Sequence, residues 1–323
     1  MQYEGRHVLQ WHITHRCNLR CAHCYQDDFT ASMPREVLFS ALEDYAAFLE
    51  KHALLGQINL TGGEPLLHPD FAELAQAIRK KGIALGILTN GTVITEAWAE
   101  FLEKLQPVFI QVSLDGPEKV HDTIRGKGSF DRAMLGIDAL KRHGLPVHVS
   151  FTAQRDNYRR LTGLALVCRL HKVDKLWFDR VVIPKEEDKD GLSLTADQFA
   201  LLLKTAGRLN RFGLVSGSRA LQFQTCRKGR CYHCGAGGNL LILLADGSVM
   251  PCRRLPFVIG NIRESSLEEI VSGSEMMKEL REAPVPEACR SCRYAESCRG
   301  GARCIAMAKT GLWNSKDPDC KVR

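Results

Sequence analysis

The chain has 323 residues, of which 45% are hydrophobic and 25% are charged, as in ordinary soluble globular proteins. The formal charge is +7, but Lys and Arg are scattered, so the charge predicts neither a nucleic-acid partner nor a membrane partner. No apolar run is long enough to span a bilayer and the N-terminus lacks a signal pattern, so we expect a cytoplasmic protein. Thirteen cysteines in such a chain indicate metal binding rather than a disulfide framework.

Residues 1–183 read as alternating strands and helices. Strands are expected at residues 7–14, 57–61, 83–89, 108–114, 147–153 and 175–183, and helices at 36–51, 70–81, 95–105, 130–143 and 158–171. In the first helix an apolar face is predicted by the helical spacing of Leu38, Leu42, Tyr45 and Leu49. Strict alternation predicts a parallel sheet with right-handed crossovers. Six such units suit an α/β fold of the partial (β/α)6 TIM-like barrel type, with chemistry at the carboxyl ends of its strands.

The remainder of the chain is expected to form two further regions. Residues 184–225 read as a charged linker followed by a bridging helix near 195–212. From residue 226 the composition changes, because nine of the thirteen cysteines lie in 226–320. Regular structure is expected to be sparse there, apart from a hairpin of residues 240–244 and 248–250. We therefore predict a small, irregular cysteine-rich domain over 226–323 that is held together by metal.

The first motif is Cys17-x3-Cys21-x2-Cys24, directly after the first strand. Three thiolates so close together can hold three irons of a cubane [4Fe–4S] cluster, which leaves the fourth iron without a protein ligand. A small molecule can chelate that iron. A zinc site would instead need a closed set of four ligands, and the local candidates for the fourth are His15 and His23.

The second motif is Gly62-Gly63-Glu64-Pro65, at the end of the second strand. Two glycines allow the backbone to approach a ligand closely, and the carboxylate of Glu64 can accept a hydrogen bond from an ammonium group. Because the carboxyl ends of parallel strands share one edge, we expect this motif and the cysteine motif to form one site.

Together the two motifs resemble the radical S-adenosylmethionine (radical SAM) superfamily. The resemblance implies that SAM binds the open iron and that one electron from the cluster cleaves it, giving a 5′-deoxyadenosyl radical that abstracts hydrogen from a substrate. The amino end of SAM would contact the glycine motif. The adenine of SAM would pack near Tyr25, and its carboxylate would contact Arg125. Ribose contacts are expected from the strand ends. The implied cofactor-binding residues are Tyr25, Gly62, Gly63, Glu64, Asn90, Ser113, Asp115 and Arg125.

The later cysteines resemble the SPASM extension of radical SAM enzymes, which carries two auxiliary iron–sulfur clusters. The resemblance assigns Cys234 and Cys252 to the first auxiliary cluster. For the second it implies four ligands, which are Cys289, Cys292, Cys298 and Cys320.

The chain departs from the SPASM pattern at position 302, where Ala302 stands in place of a cysteine ligand. Cys304 can substitute for it. Either Cys226 or Cys231 can complete the first cluster, and whether that cluster holds two or four irons stays open. Zinc ribbons built on Cys231-x2-Cys234 and Cys289-x2-Cys292 are the structural alternative. Cys168 is expected to be an ordinary core residue.

The resemblance implies an enzyme, a radical SAM oxidoreductase or maturase. The leading hypothesis for its substrate is a ribosomally made peptide or protein, oxidised to a crosslink, a thioether or a similar product. The alternative is a small-molecule precursor in cofactor biosynthesis, such as a tetrapyrrole or haem side chain. A third hypothesis is an electron-transfer protein without catalysis, against which the intact SAM-site residues argue.

Two further expectations concern binding partners. Arg253 and Arg254 follow Cys252, where formylglycine-forming members carry an aspartate. That disfavours formylglycine formation and hints at an acidic substrate or leader, although a solvated pair of arginines would look the same. Only sixteen residues precede Cys17, so a leader-binding module is expected to be a separate protein. The expected electron donor is of the flavodoxin or ferredoxin type.

Overall fold

The computed structural model describes residues 6–184, 186–188, 191–213 and 234–321. Six parallel strands follow one another in chain order, and each is joined to the next by at least one helix, as the sequence predicts. The strands are β1 Arg6–Thr14, β2 Leu55–Gly62, β3 Ala84–Thr89, β4 Phe109–Ser113, β5 Val147–Ala153 and β6 Lys175–Arg180. The helices of this part are α1 Arg35–Lys51, α2 Phe71–Lys80, α3 Glu96–Leu105, α4 Glu118–Arg125, α5 Ser129–Arg142 and α6 Leu161–Leu170.

The apolar face predicted for α1 is buried, since Leu38, Leu42, Tyr45 and Leu49 all lie in the core. The observed ends differ from the predicted ones by up to three residues, as at the start of α6, Leu161, and at the end of β6, Arg180. Helix α4 was not predicted. It begins after Pro117 and has only eight residues, too few to display a clear apolar periodicity.

Beyond β6 the chain forms α7, Ala196–Arg211, as predicted for the bridging helix. The described cysteine-rich part, residues 234–321, is called the extension from here on. It contains β7 Leu240–Leu243, β8 Ser248–Met250 and β9 Gly260–Asn261, followed by four short helices. These helices are α8 Leu267–Gly273, α9 Glu275–Glu282, α10 Ala295–Cys298 and α11 Arg303–Thr310.

The predicted hairpin of the extension is present, because β7 and β8 are antiparallel neighbours. The sequence did not predict that β7 also pairs in parallel with β1, from Val8 opposite Leu240 to Trp11 opposite Leu243. One sheet therefore runs through both parts in the order β6-β5-β4-β3-β2-β1-β7-β8-β9. The main core likewise continues into the extension through Leu241.

The extension also contacts β6, at the other edge of the six-stranded part. Arg180, which is 3% exposed, donates hydrogen bonds to Asp317 at 2.7 Å and to Asp319 at 2.6 Å. Both carboxylates are buried. Arg180 therefore ties the end of β6 to the extension through buried ion pairs. Among the described residues, no helix has the length and apolar character needed to cross a membrane.

The Arg180 ion pairs generate a testable prediction. Arg180→Gln leaves Asp317 buried without a cation and leaves Asp319 with Lys309 alone, which costs about 3–5 kcal/mol of stability. Because Cys320 directly follows Asp319, we also expect the variant to hold less iron after anaerobic reconstitution. Thermal unfolding and iron analysis measure the two effects. Arg142→Gln, at an exposed ion pair, is the control and should change neither the stability nor the iron content. Equal stability and equal iron content in the two variants would contradict the prediction.

Candidate active site

A cavity of about 280 Å³ lies inside the open barrel. Cys17, Cys21 and Cys24 of the first motif line it. Cys252, from the extension, lines the same cavity. The two cysteine-rich parts of the chain therefore meet at one site.

The glycine pair is required by the cysteine loop itself. Gly62 has a φ of 145°, and a Cβ there would lie 2.1 Å from the carbonyl oxygen of Thr14. A Cβ on Gly63 would lie 2.3 Å from the carbonyl oxygen of Arg16. Backbone hydrogen bonds from Gly63 to Thr14, 2.7 Å, and from Glu64 to Arg16, 2.8 Å, hold the two segments together. Both glycines line the cavity, but the close approach that demands them is to the start of the cysteine loop.

Glu64 is fully buried and joins the ends of β2 and β3. One carboxylate oxygen accepts a hydrogen bond from the Thr89 hydroxyl at 2.7 Å, and the other accepts one from the backbone N–H of Asn90 at 2.8 Å. Burial raises the pKa of Glu64 to about 7 even though these donors lower it. The side chain is thus engaged by protein donors and does not belong to the cavity wall.

Donors of the barrel point at two sulfurs of the cysteine motif. The side-chain amide of Asn90 lies 3.8 Å from Cys17 Sγ, and the backbone N–H of Leu19 lies 3.4 Å from the same atom. A guanidinium nitrogen of Arg125 lies 3.8 Å from Cys21 Sγ. Hydrogen bonds to sulfur tune iron–sulfur clusters, so these residues fit thiolate ligands of such a cluster. Burial raises the pKa of Cys21 to about 11, so iron would have to displace a proton there.

Asp115 is the buried partner of Arg125. It is 0% exposed, accepts a 2.6 Å hydrogen bond from Arg125 and a 2.9 Å bond from the backbone of Thr152. His23 lies 3.6 Å from the same carboxylate. Burial would raise the pKa of Asp115, but the charge of Arg125, together with His23 and the hydrogen bonds to the carboxylate, holds that pKa below its usual value. Asp115 therefore orients Arg125 and lies behind the cavity wall, so a direct ribose contact does not fit its position.

Six of the eight residues proposed to bind the cofactor do line the cavity. They are Tyr25, Gly62, Gly63, Asn90, Ser113 and Arg125. Glu64 and Asp115 lie behind them and hold them in place.

A further group of residues in the cavity wall was not predicted from the sequence: Gln10, Gln111, Thr152, Trp177 and Asp179. They lie on the strands of the barrel, and all but Asp179, which precedes Arg180, lie between apolar neighbours that are buried in the core. Polar residues at alternate positions of an otherwise apolar strand were the available signal, because successive side chains point to opposite faces.

The arginines after Cys252 both line the cavity and are not a solvated pair. Arg254 forms an ion pair with Asp179 at the end of β6. Arg253 reaches Tyr25, its guanidinium carbon lying 4.4 Å from the centre of the ring.

The described cysteines of the extension form two groups. Burial raises the pKa of Cys298 to about 11, and Cys320, Cys289 and Cys292 are close enough to raise it further. These are the four residues expected at the second auxiliary cluster. No disulfide joins any cysteine in the described part of the chain.

Cys304 belongs to the first group. Burial raises its pKa to about 12, Arg254 lowers it, and the nearby Cys252 and Cys234 raise it. Within the described ranges no three His, Cys, Asp or Glu side chains are placed to hold a single metal ion. A cubane cluster spreads its thiolates further, because each binds a different iron. Cys226 and Cys231 lie outside the described residues. Cys168 is buried in the main core, as expected.

Comparison with known proteins gives the class of this protein. The model of the radical SAM superfamily matches residues 11–154, and the SPASM model, an iron–sulfur cluster-binding domain, matches residues 234–293. A mycofactocin maturase, MftC, of Mycolicibacterium smegmatis is 31% identical over 97% of this chain and 82% of its own. An AdoMet-dependent heme synthase of Methanosarcina barkeri is 29% identical over 98% of this chain and 96% of its own.

A solved structure of native anSMEcpe with bound AdoMet and Cp18Cys peptide has a TM-score of 0.78. It is 22% identical and covers 96% of this chain and 93% of that one, which shows a common fold. The chain belongs to the radical SAM superfamily and carries a SPASM domain. It is accordingly an enzyme, and its cofactors are a [4Fe–4S] cluster, SAM and auxiliary iron–sulfur clusters.

The position of Cys304 beside Cys252 and Cys234 generates a second prediction. Cys304→Ala should lower the iron content by about two to four irons per chain, the content of one cluster. Cys168→Ala, at a core cysteine, is the control and should keep the full content. Adding Ala302→Cys to Cys304→Ala should restore iron, because position 302 is where the SPASM pattern has its ligand. Unchanged iron in Cys304→Ala would contradict the assignment.

Proposed function

We propose that this enzyme oxidises a ribosomally made peptide or protein by hydrogen abstraction and forms a crosslink or thioether. The observation that supports this most is that Cys252 lines the cavity of the first cysteine motif. An auxiliary cluster at Cys252 would lie beside the substrate. Such bond formation removes two electrons from the substrate, and the second electron needs an acceptor nearby.

When bound, SAM and the iron–sulfur clusters would supply a 5′-deoxyadenosyl radical that removes one hydrogen atom from the substrate and an acceptor for the second electron. Cys17, Cys21 and Cys24 would hold the cluster that binds SAM, and Cys234, Cys252 and Cys304 would hold the auxiliary cluster; the proton released as the new bond forms would pass to a base or to solvent. The protein contributes placement: Asn90 and Arg125 hold the cysteine loop through its sulfurs, and Asp115 orients Arg125. The barrel wall keeps water away from the reacting atoms.

The similarity to a mycofactocin maturase supports the hypothesis of a peptide substrate. A second candidate is the modification of a tetrapyrrole side chain. Two observations favour it: the similarity to a heme synthase over 96% of that protein, and the two arginines of the extension in the cavity wall. Guanidinium groups bind carboxylates, which tetrapyrrole side chains carry.

The proposal extends to the partners and the compartment. The reductant is a flavodoxin or ferredoxin, and a separate protein supplies leader binding if the substrate is a peptide. Thiolate ligands require a reducing compartment, so the cytoplasm is the proposed location.

The proposed chemistry predicts 5′-deoxyadenosine release from reconstituted protein with SAM and dithionite under strict anaerobiosis. Cys17→Ala should abolish release, because the cluster that cleaves SAM loses a ligand. Cys292→Ala should retain most of the SAM cleavage but form no product from the substrate, because only an auxiliary cluster is affected. Liquid chromatography measures both compounds, with Cys168→Ala as the control. Absence of release from wild-type protein with its full iron content would contradict the proposal.

The two substrate classes predict different donors of the hydrogen atom that enters 5′-deoxyadenosine. One assay contains a deuterated precursor peptide encoded by a short open reading frame beside the gene, and the other contains deuterated iron coproporphyrin. Mass spectrometry follows deuterium into 5′-deoxyadenosine. Transfer from the peptide supports the first proposal, whereas transfer from the tetrapyrrole alone contradicts it and supports the second.

A further inference from the structure

One side chain of the extension contacts the residue that follows the cysteine motif. The guanidinium carbon of Arg253 lies 4.4 Å from the ring centre of Tyr25. A terminal nitrogen of the same group donates a 3.3 Å hydrogen bond to the Tyr25 carbonyl oxygen, although the two residues are 228 positions apart. Arg253 thus holds both the ring and the backbone of Tyr25, and each partner is adjacent to a cluster-ligand cysteine.

The environment of Arg253 differs from that of the other arginines in the cavity wall. Arg125, Arg180 and Arg254 each form an ion pair with an aspartate. Arg253 has no carboxylate partner among the described residues, and its buried Nε has no hydrogen-bond partner there. Arg253 lines the cavity, and this donor is not used by any described residue.

The ring of Tyr25 also lies near His12, whose ring centre is 6.5 Å away in an edge-on arrangement. Burial lowers the pKa of His12 to about 3. His12 is therefore neutral at physiological pH and does not repel the guanidinium of Arg253. Of these three side chains, Arg253 carries the one charge.

We propose that Arg253 is a positioning residue of the extension that holds Tyr25 against the adenosyl part of SAM and donates a hydrogen bond to that part. The inference rests on the SAM site described above. A guanidinium beside the sulfonium would be repelled, and the SAM carboxylate is expected at Arg125, so the uncharged adenosyl end, with its nitrogen and oxygen acceptors, is the part left for Arg253. Through this contact the extension contributes directly to SAM binding.

The test compares SAM affinity and SAM cleavage in variants of the reconstituted full-length protein. Arg253→Gln should raise the Kd for SAM about tenfold, which equals a loss of about 1.4 kcal/mol in binding free energy. Calorimetry measures this Kd with the cluster oxidised, so that no SAM is cleaved. The KM for SAM in 5′-deoxyadenosine formation should rise in parallel, with kcat within about twofold of wild type. Arg253→Lys keeps the cation but not the planar stack, so its Kd should rise only about threefold.

Arg263→Gln, at an exposed arginine of the extension, is the control and should bind SAM like the wild type. Iron content and the visible spectrum identify any variant that has lost its clusters or its fold. Tyr25→Leu removes the ring that Arg253 contacts. The double variant Tyr25→Leu with Arg253→Gln should bind SAM with about the same Kd as the single variant of lower affinity, because both substitutions remove the same contact.

Three results would overturn the inference. One is wild-type SAM affinity in Arg253→Gln with intact clusters. A second is a loss of kcat at unchanged KM. The third is a double variant whose loss is the product of the two single losses. Failure of the wild-type protein to bind SAM would instead contradict the proposed function, so the two failures can be told apart.

Discussion

The parallel pairing of β7 with β1 determines how the two cysteine-rich parts of this chain come together. The six-stranded part of the barrel is open, and the extension contacts both of its edges. At one edge β7 adds to the sheet beside β1. At the other, Arg254 pairs with Asp179 and Arg180 pairs with the aspartates before Cys320. These contacts place the extension across the cavity, so one volume receives residues from both ends of the chain.

The residues around the cavity support the cysteine loop. Gly62 and Gly63 leave room for the backbone of that loop, and Glu64 joins the strand ends beneath it. Asp115 holds Arg125, which in turn reaches Cys21. A buried charge is stable only when it is paired, and here the pairing also fixes the direction of the donor. Much of what a motif search reads as cofactor contact is therefore support for the loop that holds the cofactor.

The sequence predicted the fold of residues 6–180 almost completely, because each strand and every helix except the short α4 has its own periodicity and the alternation implies the topology. It did not predict the β7–β1 pairing, since a four-residue apolar strand carries no information about a distant partner. For the site, it located the cysteine loop and the strand ends. It could not tell which polar side chains face the cavity: Ser113 does, whereas Asp115 lies behind the wall. The contact of Arg253 with Tyr25 depends wholly on tertiary structure.

The central claim is that the loop after β1 and the segment after β8 serve the same SAM-binding cavity. Amide hydrogen exchange of the anaerobic, reconstituted protein, with and without SAM, tests it most directly. We expect SAM to slow exchange in residues 17–25 and also in residues 252–254. Protection confined to the N-terminal loop, with unchanged exchange around Cys252, would contradict the account.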